Sequence, residues 1–275
     1  MTTSTNTEFR SHDGLRLVGT LVTPNEQPEQ AIVLVHGGGV TREEAGYFGR
    51  LADGLALVGV ASLCFDLRGH GESDGRQEDL TLSAILNDIS SALAHLLTQT
   101  EAARLSLLGT SFSGGIAAYF AAHRPGELDR LVLCNPLLNY KKRFIDDKPY
   151  WSDDQIDEAA GQELAENGFI PHSPTFKLGR PLLNEVFWLQ PHTVIGEITT
   201  PTLLVHGTKD TFVPIESSRA AAAQLKAPHE LVEVEGAQHG FAVDNDPTYA
   251  DPQSRSYQDF VIGTIAGWLT SEHTA

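Results

Sequence analysis

The segment Leu105-Ser-Leu-Leu-Gly-Thr-Ser-Phe-Ser-Gly-Gly115 decides how this chain of 275 residues folds. It begins with a short apolar run typical of a buried strand, and an alanine-rich stretch up to about Arg124 predicts a helix directly after it. The serine at the turn, Ser111, has small residues two positions away on either side, Gly109 and Ser113. A turn this tight between a strand and a helix exposes its central side chain, as a nucleophile requires.

Apolar runs of the same design occur on both sides of this segment. Each is followed by small or turn residues, and most then lead into a helical pattern. They cover residues 31–35, 60–65, 131–134, 202–205 and 230–234. Strands that are apolar on both faces and alternate with helices predict a mostly parallel sheet with helices on both faces, which is an α/β fold.

The alternation of strands and helices is interrupted once. Residues 137–198 are mixed in charge, rich in aromatic side chains, and contain no strand pattern of the earlier kind. We therefore predict a core made of residues 1–136 and 199–275, with residues 137–198 inserted as a lid over one end of the sheet.

Two local patterns lie outside the repeating design. Residues 9–23 alternate around Asp13-Gly14, which predicts an antiparallel hairpin at the edge of the sheet. Thr41 is followed three residues later by Glu44, and this capping-box pattern predicts that a helix starts there.

Composition and charge narrow the possible classes of function. With 19 Lys and Arg against 36 Asp and Glu, the net charge of −17 argues against nucleic acid as a partner, because such binding depends on clustered cations. Residues 1–6 are polar and no apolar run reaches about 18 residues, so we expect no signal peptide, no membrane span and a cytoplasmic location. Cys64 and Cys134 lie in strand patterns and are expected to be buried thiols.

Candidates for an acid and a base lie near the ends of later strands. Asp210 follows one strand and His239 follows the last, which places both at the sheet edge predicted for Ser111. His229 precedes its strand and belongs to the opposite edge, and His273 lies in the terminal tail. A serine hydroxyl needs an imidazole to take its proton, and the imidazole needs a carboxylate to orient it. We therefore predict a catalytic triad of nucleophile, base and acid from these three residues.

At these positions the chain resembles the α/β-hydrolase family over nearly its whole length. The likeness is carried by the His-Gly loop at residues 36–38, the D-x-R-G-H-G-x-S segment at residues 66–73 and the G-x-x-H-x-F ending at residues 236–241. The resemblance implies the α/β-hydrolase fold and an oxyanion hole formed by the backbone N–H groups of Phe112 and Gly38. It implies no cofactor, and no cluster of residues has the spacing of a metal site.

The predicted lid has a resemblance of its own. Its F-K-L-G-R motif at residues 176–180 is similar to bacterial cinnamoyl and feruloyl esterases that carry an inserted lid. Its aromatic side chains provide apolar surface for a pocket, and we expect Trp151, Phe176 and Trp188 to contact the substrate. The expected substrate is a small-molecule carboxylic ester with an aromatic or acyl portion of modest size.

Two alternatives stay open at this point. Ser113 stands where the usual motif has glycine, which is similar to some bacterial acyltransferases and thioesterases, and the basic cluster Lys141-Lys142-Arg143 suits the phosphates of an acyl-CoA. A thioesterase or acyltransferase acting on acyl-CoA or an acyl carrier is therefore the first alternative. The second is a non-enzymatic ligand-binding protein on the same fold. The sequence also leaves open whether the protein acts as a homodimer.

Overall fold

The computed structural model describes residues 2–271 and confirms the predicted α/β fold. In chain order the strands are β1 (Thr3–Arg10), β2 (Arg16–Thr23), β3 (Gln30–Val35), β4 (Val60–Phe65), β5 (Arg104–Thr110), β6 (Arg130–Cys134), β7 (Trp151–Ser152), β8 (Gln155–Ile156), β9 (Phe169–Ser173), β10 (Phe176–Gly179), β11 (Thr202–Gly207) and β12 (His229–Val234). The helices are α1 (Tyr47–Leu57), α2 (Leu82–Thr100), α3 (Phe112–His123), α4 (Glu158–Asn167), α5 (Arg180–Glu185), α6 (Glu216–Ala222) and α7 (Pro252–Thr270). His273 lies outside the described residues.

Eight strands form the main sheet, in the order β1-β2-β4-β3-β5-β6-β11-β12. All neighbours from β4 to β12 pair in parallel, and β2 pairs antiparallel with both β1 and β4. The predicted hairpin around Asp13-Gly14 is therefore confirmed, with β1 at the edge. Because the carboxyl ends of the parallel strands meet at one edge, the loops that follow β3, β5, β6, β11 and β12 converge there.

Both faces of the sheet are buried. Along β3, Val33 and Val35 belong to the core shared with α2 and α3, whereas Ile32 and Leu34 belong to the core shared with α1 and α7. This alternation follows from the strand, in which successive side chains point to opposite faces. Cys64 and Cys134 are buried free thiols, as predicted. Across residues 2–271, every helix is too short or too polar to cross a bilayer.

The inserted residues 137–198 lie between β6 and β11 in the chain. Their strands form two small antiparallel ribbons, β7 with β8 and β9 with β10, apart from the main sheet. Their buried side chains, including Phe144, Phe176 and Leu182, join the core on the α2 and α3 side. The segment is thus packed firmly on the core, while its boundaries and its action as a lid stay predictions.

The first helix begins later than the capping box predicts. Helix α1 starts at Tyr47, and both Glu44 and Ala45 have left-handed backbone conformations, with φ of 32° and 52°. The carboxylate of Glu44 does not cap this helix but accepts a hydrogen bond of 2.8 Å from the hydroxyl of Tyr249. A 3-10 turn covers Glu44–Gly46 directly before α1, so a helical segment does follow Thr41, but Thr41 is not its N-cap and the predicted capping box is wrong.

Candidate active site

Ser111 occupies a strained turn between β5 and α3. Its φ of 50° is unusual for a residue with a side chain and costs about 1–3 kcal/mol. A Cβ at Gly109 would lie 2.5 Å from the carbonyl oxygen of Ser113, so only glycine fits there. The backbone N–H of Ser111 donates to Cys134 at 2.9 Å, and its carbonyl accepts from Leu137 at 2.8 Å. These neighbours hold the turn in the conformation that exposes the hydroxyl.

The structure brings Ser111, His239 and Asp210 into one chain of hydrogen bonds. His239 Nε2 lies 2.9 Å from Ser111 Oγ, and His239 Nδ1 lies 2.6 Å from Asp210 Oδ2. A carboxylate can only accept, so Nδ1 carries the proton of the neutral ring and Nε2 accepts from the serine hydroxyl. Both distances lie within the range needed for proton transfer.

Asp210 is buried and remains ionised. Burial on its own would raise the pKa of this carboxyl, but hydrogen bonds from His206 and His239 outweigh it and hold the pKa well below its usual range. Asp210 Oδ1 also accepts from the backbone N–H groups of Phe212 and Val213, at 2.8 and 2.9 Å. The carboxylate is therefore fixed in position beside His239, and its role in orienting the imidazole and stabilising its cation stays a prediction.

Of the two predicted oxyanion donors, Phe112 follows Ser111 directly in the chain and Gly38 lines the same cavity as Ser111. Phe112 is the first residue of α3, so its N–H has no partner inside the helix. The loop after β3 passes close to Ser111, since a Cβ at Gly37 would lie 3.2 Å from Ser111 Cβ. Among residues 2–271, the N–H groups of Phe112 and Gly38 have no acceptor. Both are available to a developing oxyanion, and this role stays a prediction.

Two neutral histidines support the His-Gly loop. His36 Nε2 accepts from the N–H of Leu67 at 3.0 Å, so its Nδ1 carries the proton and lies 2.7 Å from the carbonyl of Gly37. Burial and the nearby His70 lower the pKa of His36 to about 3. His70 Nε2 accepts from the N–H of Gly39 at 3.1 Å, and burial lowers its pKa as well.

The side chain of Ser113 forms a hydrogen bond that glycine could not form. Its buried hydroxyl donates to the carbonyl of His36 at 2.6 Å, which ties the first turn of α3 to the His-Gly loop. The serine at this position therefore supports the loop that carries the predicted oxyanion donor Gly38.

A cavity of about 230 Å³ opens beside the serine. Most of its wall residues were not predicted as site residues from the sequence, among them Glu44, Tyr47, Asn135 and Phe212. The ring of Phe212 lies against His239, with centroids 5.3 Å apart. Its place two residues after Asp210 is the one local signal that could have identified it. The lining consists of Gly37, Gly38, Val40, Glu44, Tyr47, Thr110, Ser111, Cys134, Asn135, Ser173, Thr175, Phe212, His239, Gly240 and Phe241.

Comparisons with known proteins agree with this fold. Residues 26–156 match the family described as serine aminopeptidase S33, and residues 186–261 match the dienelactone hydrolase family. The fold is similar to Est1E from Butyrivibrio proteoclasticus in a structure with ferulic acid bound, with a TM-score of 0.73, 24% identity, and coverage of 94% of this chain and 99% of that one. The chain has the α/β-hydrolase fold.

Further relatives cover the hydrolase almost from end to end. A monoacylglycerol lipase of Mycolicibacterium smegmatis is 25% identical over 298 residues, which cover 98% of this chain and 99% of the lipase. Mouse α/β-hydrolase domain-containing protein 10 has a TM-score of 0.73 at 16% identity, with 96% and 98% coverage. Since the matched families are enzyme families, the alternative of a non-enzymatic ligand-binding protein is set aside.

Of the three predicted substrate contacts, only Phe176 lies close to the site of this hydrolase. It is buried, and a Cβ at Gly38 would lie 2.8 Å from its ring, so the ring covers the His-Gly loop. Trp151 is not part of the cavity wall but packs against Phe187, with ring centroids 6.0 Å apart. Trp188 is 88% exposed and its prediction as a contact is wrong.

The position of Trp188 follows from the turn after α5. Val186 and Leu189 are buried and take the inward positions of this turn. Trp188 lies between them in the chain and therefore points into solvent. The aromatic composition of residues 137–198 does not by itself distinguish an exposed side chain such as Trp188 from a buried one such as Phe176.

The basic cluster of the hydrolase is largely neutralised. Lys141 Nζ lies 2.7 Å from carboxylate oxygens of both Asp146 and Asp154, and Lys142 pairs with Asp147. The guanidinium of Arg143 stacks on the ring of Phe212 at 4.7 Å. Within residues 2–271, no group of three potential ligands could hold a metal ion.

Proposed function

We propose that this hydrolase cleaves carboxylic esters through an acyl-enzyme formed on Ser111. The observation that carries the proposal is the hydrogen-bonded chain Ser111–His239–Asp210, with distances of 2.9 and 2.6 Å, at the wall of a cavity. A serine hydroxyl in this setting is activated by the imidazole, and the carboxylate stabilises the imidazolium that forms.

The reaction follows from the positions of these groups. His239 Nε2 takes the proton from Ser111 as Oγ attacks the ester carbonyl, and the N–H groups of Phe112 and Gly38 stabilise the oxyanion. Collapse of this intermediate expels the alcohol, which receives the proton from His239. Water then attacks the acyl-enzyme, with His239 taking its proton, and collapse releases the acid and returns the proton to Ser111.

The size of the cavity supports substrates of modest size. Its volume of about 230 Å³ is below the roughly 300–1,000 Å³ of pockets that enclose drug-sized ligands. The names of two similar proteins point to ester chemistry, one being a monoacylglycerol lipase and the other an esterase-fold structure with ferulic acid bound. We infer that short acyl esters and single-ring aromatic esters are the preferred class.

Two contacts support simple esters over acyl-CoA as substrates. The hydroxyl of Ser113 is used to hold the His-Gly loop, and Lys141 and Lys142 are paired with carboxylates. An acyl-CoA would have to displace these ion pairs and approach a chain of net charge −17. We therefore expect simple esters to be hydrolysed faster than thioesters of CoA.

One substrate panel tests the proposal. Rates are measured with p-nitrophenyl esters of increasing acyl length, methyl hydroxycinnamates and acyl-CoAs, with Ser111→Ala as the blank. We expect hydrolysis of the short and aromatic esters, and its loss in the variant. Activity confined to acyl-CoAs would replace the esterase assignment with a thioesterase, and ester hydrolysis that persists in Ser111→Ala would contradict the mechanism.

A further inference from the structure

One wall of the catalytic cavity carries a buried hydroxyl that is not used by the protein. Tyr47 is 2% exposed and lines the cavity, yet its hydroxyl has no hydrogen-bond partner among residues 2–271. Leaving such a group unpaired is unfavourable, and buried polar atoms in folded proteins almost always have a partner. An unpaired hydroxyl on the wall of a substrate cavity is explained if the substrate supplies the partner.

Glu44 lies beside Tyr47 on the same wall. One oxygen of its carboxyl accepts from the hydroxyl of Tyr249 at 2.8 Å, and within the described chain the other oxygen has no hydrogen bond. Glu44 is partly buried, and this burial raises the pKa of its carboxyl. Its backbone and that of Ala45 are both left-handed, which is unfavourable for residues with side chains. The left-handed backbone and the partial burial of the carboxyl are therefore both unfavourable for the folded state at this position.

The reacting groups line the same cavity. Ser111, His239 and Gly240 line it together with Glu44 and Tyr47. The loop that carries His239 is packed on the tyrosine that binds Glu44, since a Cβ at Gly240 would lie 2.5 Å from the hydroxyl of Tyr249. A substrate group held by Glu44 and Tyr47 is therefore part of the same molecule whose carbonyl lies at Ser111.

We propose that Glu44 and Tyr47 form a subsite that binds a hydroxyl group of the ester substrate. The inference rests on the proposed esterase function and names the class of ester. A hydroxyl has one donor and two acceptor positions. It can donate to the free oxygen of Glu44 and accept from the hydroxyl of Tyr47, so that all three polar groups are paired.

Such a subsite should select between substrates that differ by one hydroxyl. A site with buried groups that pair with a substrate hydroxyl discriminates strongly against the analogue without it, because its own polar groups then stay unpaired. We expect the value of kcat/KM to fall at least about tenfold when the hydroxyl is removed from the substrate.

The experiment compares two matched pairs of esters. In methyl 4-hydroxycinnamate and methyl cinnamate the hydroxyl lies on the acyl part, and in 2-hydroxyethyl butyrate and propyl butyrate it lies on the alcohol part. Values of kcat/KM are measured for the wild type, Tyr47→Phe and Glu44→Gln. The matched control is Tyr119→Phe, because Tyr119 stacks on His123 and is not part of the cavity wall.

We expect the wild type and Tyr119→Phe to prefer the hydroxylated member of one pair, and that pair identifies the part of the ester that enters the subsite. In Tyr47→Phe the preference should fall close to one, without a lower Tm, because the change removes a buried hydroxyl that lacks a partner in the free protein. Glu44→Gln should weaken the preference as well.

Three results would overturn the inference. They are equal rates for both members of each pair in the wild type, a preference that survives in Tyr47→Phe, or a stronger preference for 2-aminoethyl butyrate over its hydroxyl counterpart. Failure of the esterase proposal is distinct, since no ester would then be hydrolysed in a manner that depends on Ser111.

Discussion

The catalytic edge of the sheet and the inserted segment of residues 137–198 are held together in different ways. At the edge, buried side chains such as Asp210, His36 and Ser113 each form hydrogen bonds with defined donors and acceptors. In the inserted segment, ion pairs lie near the surface, such as Lys141 with Asp146. A buried polar group has few acceptable partners, whereas a surface ion pair is worth at most about 1 kcal/mol.

The aromatic side chains of the inserted segment are held by apolar packing, in contrast to the hydrogen-bonded polar groups of the catalytic edge. Phe176 meets Phe112 with centroids 5.1 Å apart, and Phe144 meets His172 at 5.0 Å. Such apolar packing tolerates changes of similar volume, at a cost usually below about 1.5 kcal/mol. The comparison therefore predicts large effects for conservative polar changes at the edge and small effects for comparable changes at the surface of the segment.

The largest effect is expected for Asp210→Asn. The amide preserves the shape of the carboxyl but no longer holds His239 in the required tautomer, and kcat should fall by about 10,000-fold, the loss known for the equivalent change in a serine protease. Steady-state kinetics on a simple ester measures this. Asp146→Asn, which removes a carboxylate from the inserted segment, is the matched control and should change kcat by less than about twofold. Similar losses of kcat in both variants would contradict the expected difference between the catalytic edge and the inserted segment.

Ser113→Ala should have an intermediate effect. It removes the hydrogen bond to the carbonyl of His36 and should lower the free energy of unfolding by about 1–2 kcal/mol. We also expect a lower kcat, because this hydrogen bond no longer holds the His-Gly loop in place. Ser62→Ala is the control, since Ser62 is equally buried but its hydroxyl has no partner within residues 2–271. Urea denaturation of both variants provides the measurement. Equal destabilisation would show that burial alone, and not the bond to His36, matters at Ser113.

The pH dependence of stability tests one histidine from each region. Burial lowers the pKa of His36 to about 3 and that of His172 to about 4, both below the ordinary value near 6.5. Between these values the unfolded state binds more protons, so the free energy of unfolding rises with pH up to about 6.5 and falls as the solution is acidified. One such group contributes a slope of at most about 1.4 kcal/mol per pH unit.

Urea denaturation between about pH 3 and pH 7 of the wild type, His36→Gln and His172→Gln separates the two contributions. We expect both variants to flatten the pH dependence, and His36→Gln to do so over the wider pH range because the pKa of His36 is lowered further. A slope unchanged in His36→Gln would mean that this residue is not a buried neutral group.

The smallest effect is expected for Trp188→Ser. This side chain is 88% exposed and is not part of the cavity wall. The free energy of unfolding should change by less than about 0.5 kcal/mol, and kcat/KM for short esters should change by less than about twofold. A large rise in KM would restore Trp188 as a substrate contact and would require the inserted segment to close further over the site.

The same contrast explains what the sequence could predict. Ser111, Asp210 and His239 each follow a strand, and the parallel sheet brings these positions to one edge whatever the details of the loops. Trp188 could not be separated from Phe176 in this way, because the segment that carries them has short strands and turns without a clear period.

Glu44 escaped prediction for another reason. Its local pattern with Thr41 indicates a helix cap, and its partner Tyr249 lies 205 residues away in the chain. A short-range sequence pattern carries no information about such a contact, so only the structure shows that Glu44 lines the cavity.

Covalent trapping of the nucleophile tests the central claim most directly. The protein is mixed with an activated ester of a slowly hydrolysed acyl group, quenched in acid, and analysed by intact mass and peptide mapping. We expect one acyl group per chain on the peptide that contains Ser111, and no adduct in Ser111→Ala. Acylation of a different residue, or an adduct that persists in Ser111→Ala, would contradict it.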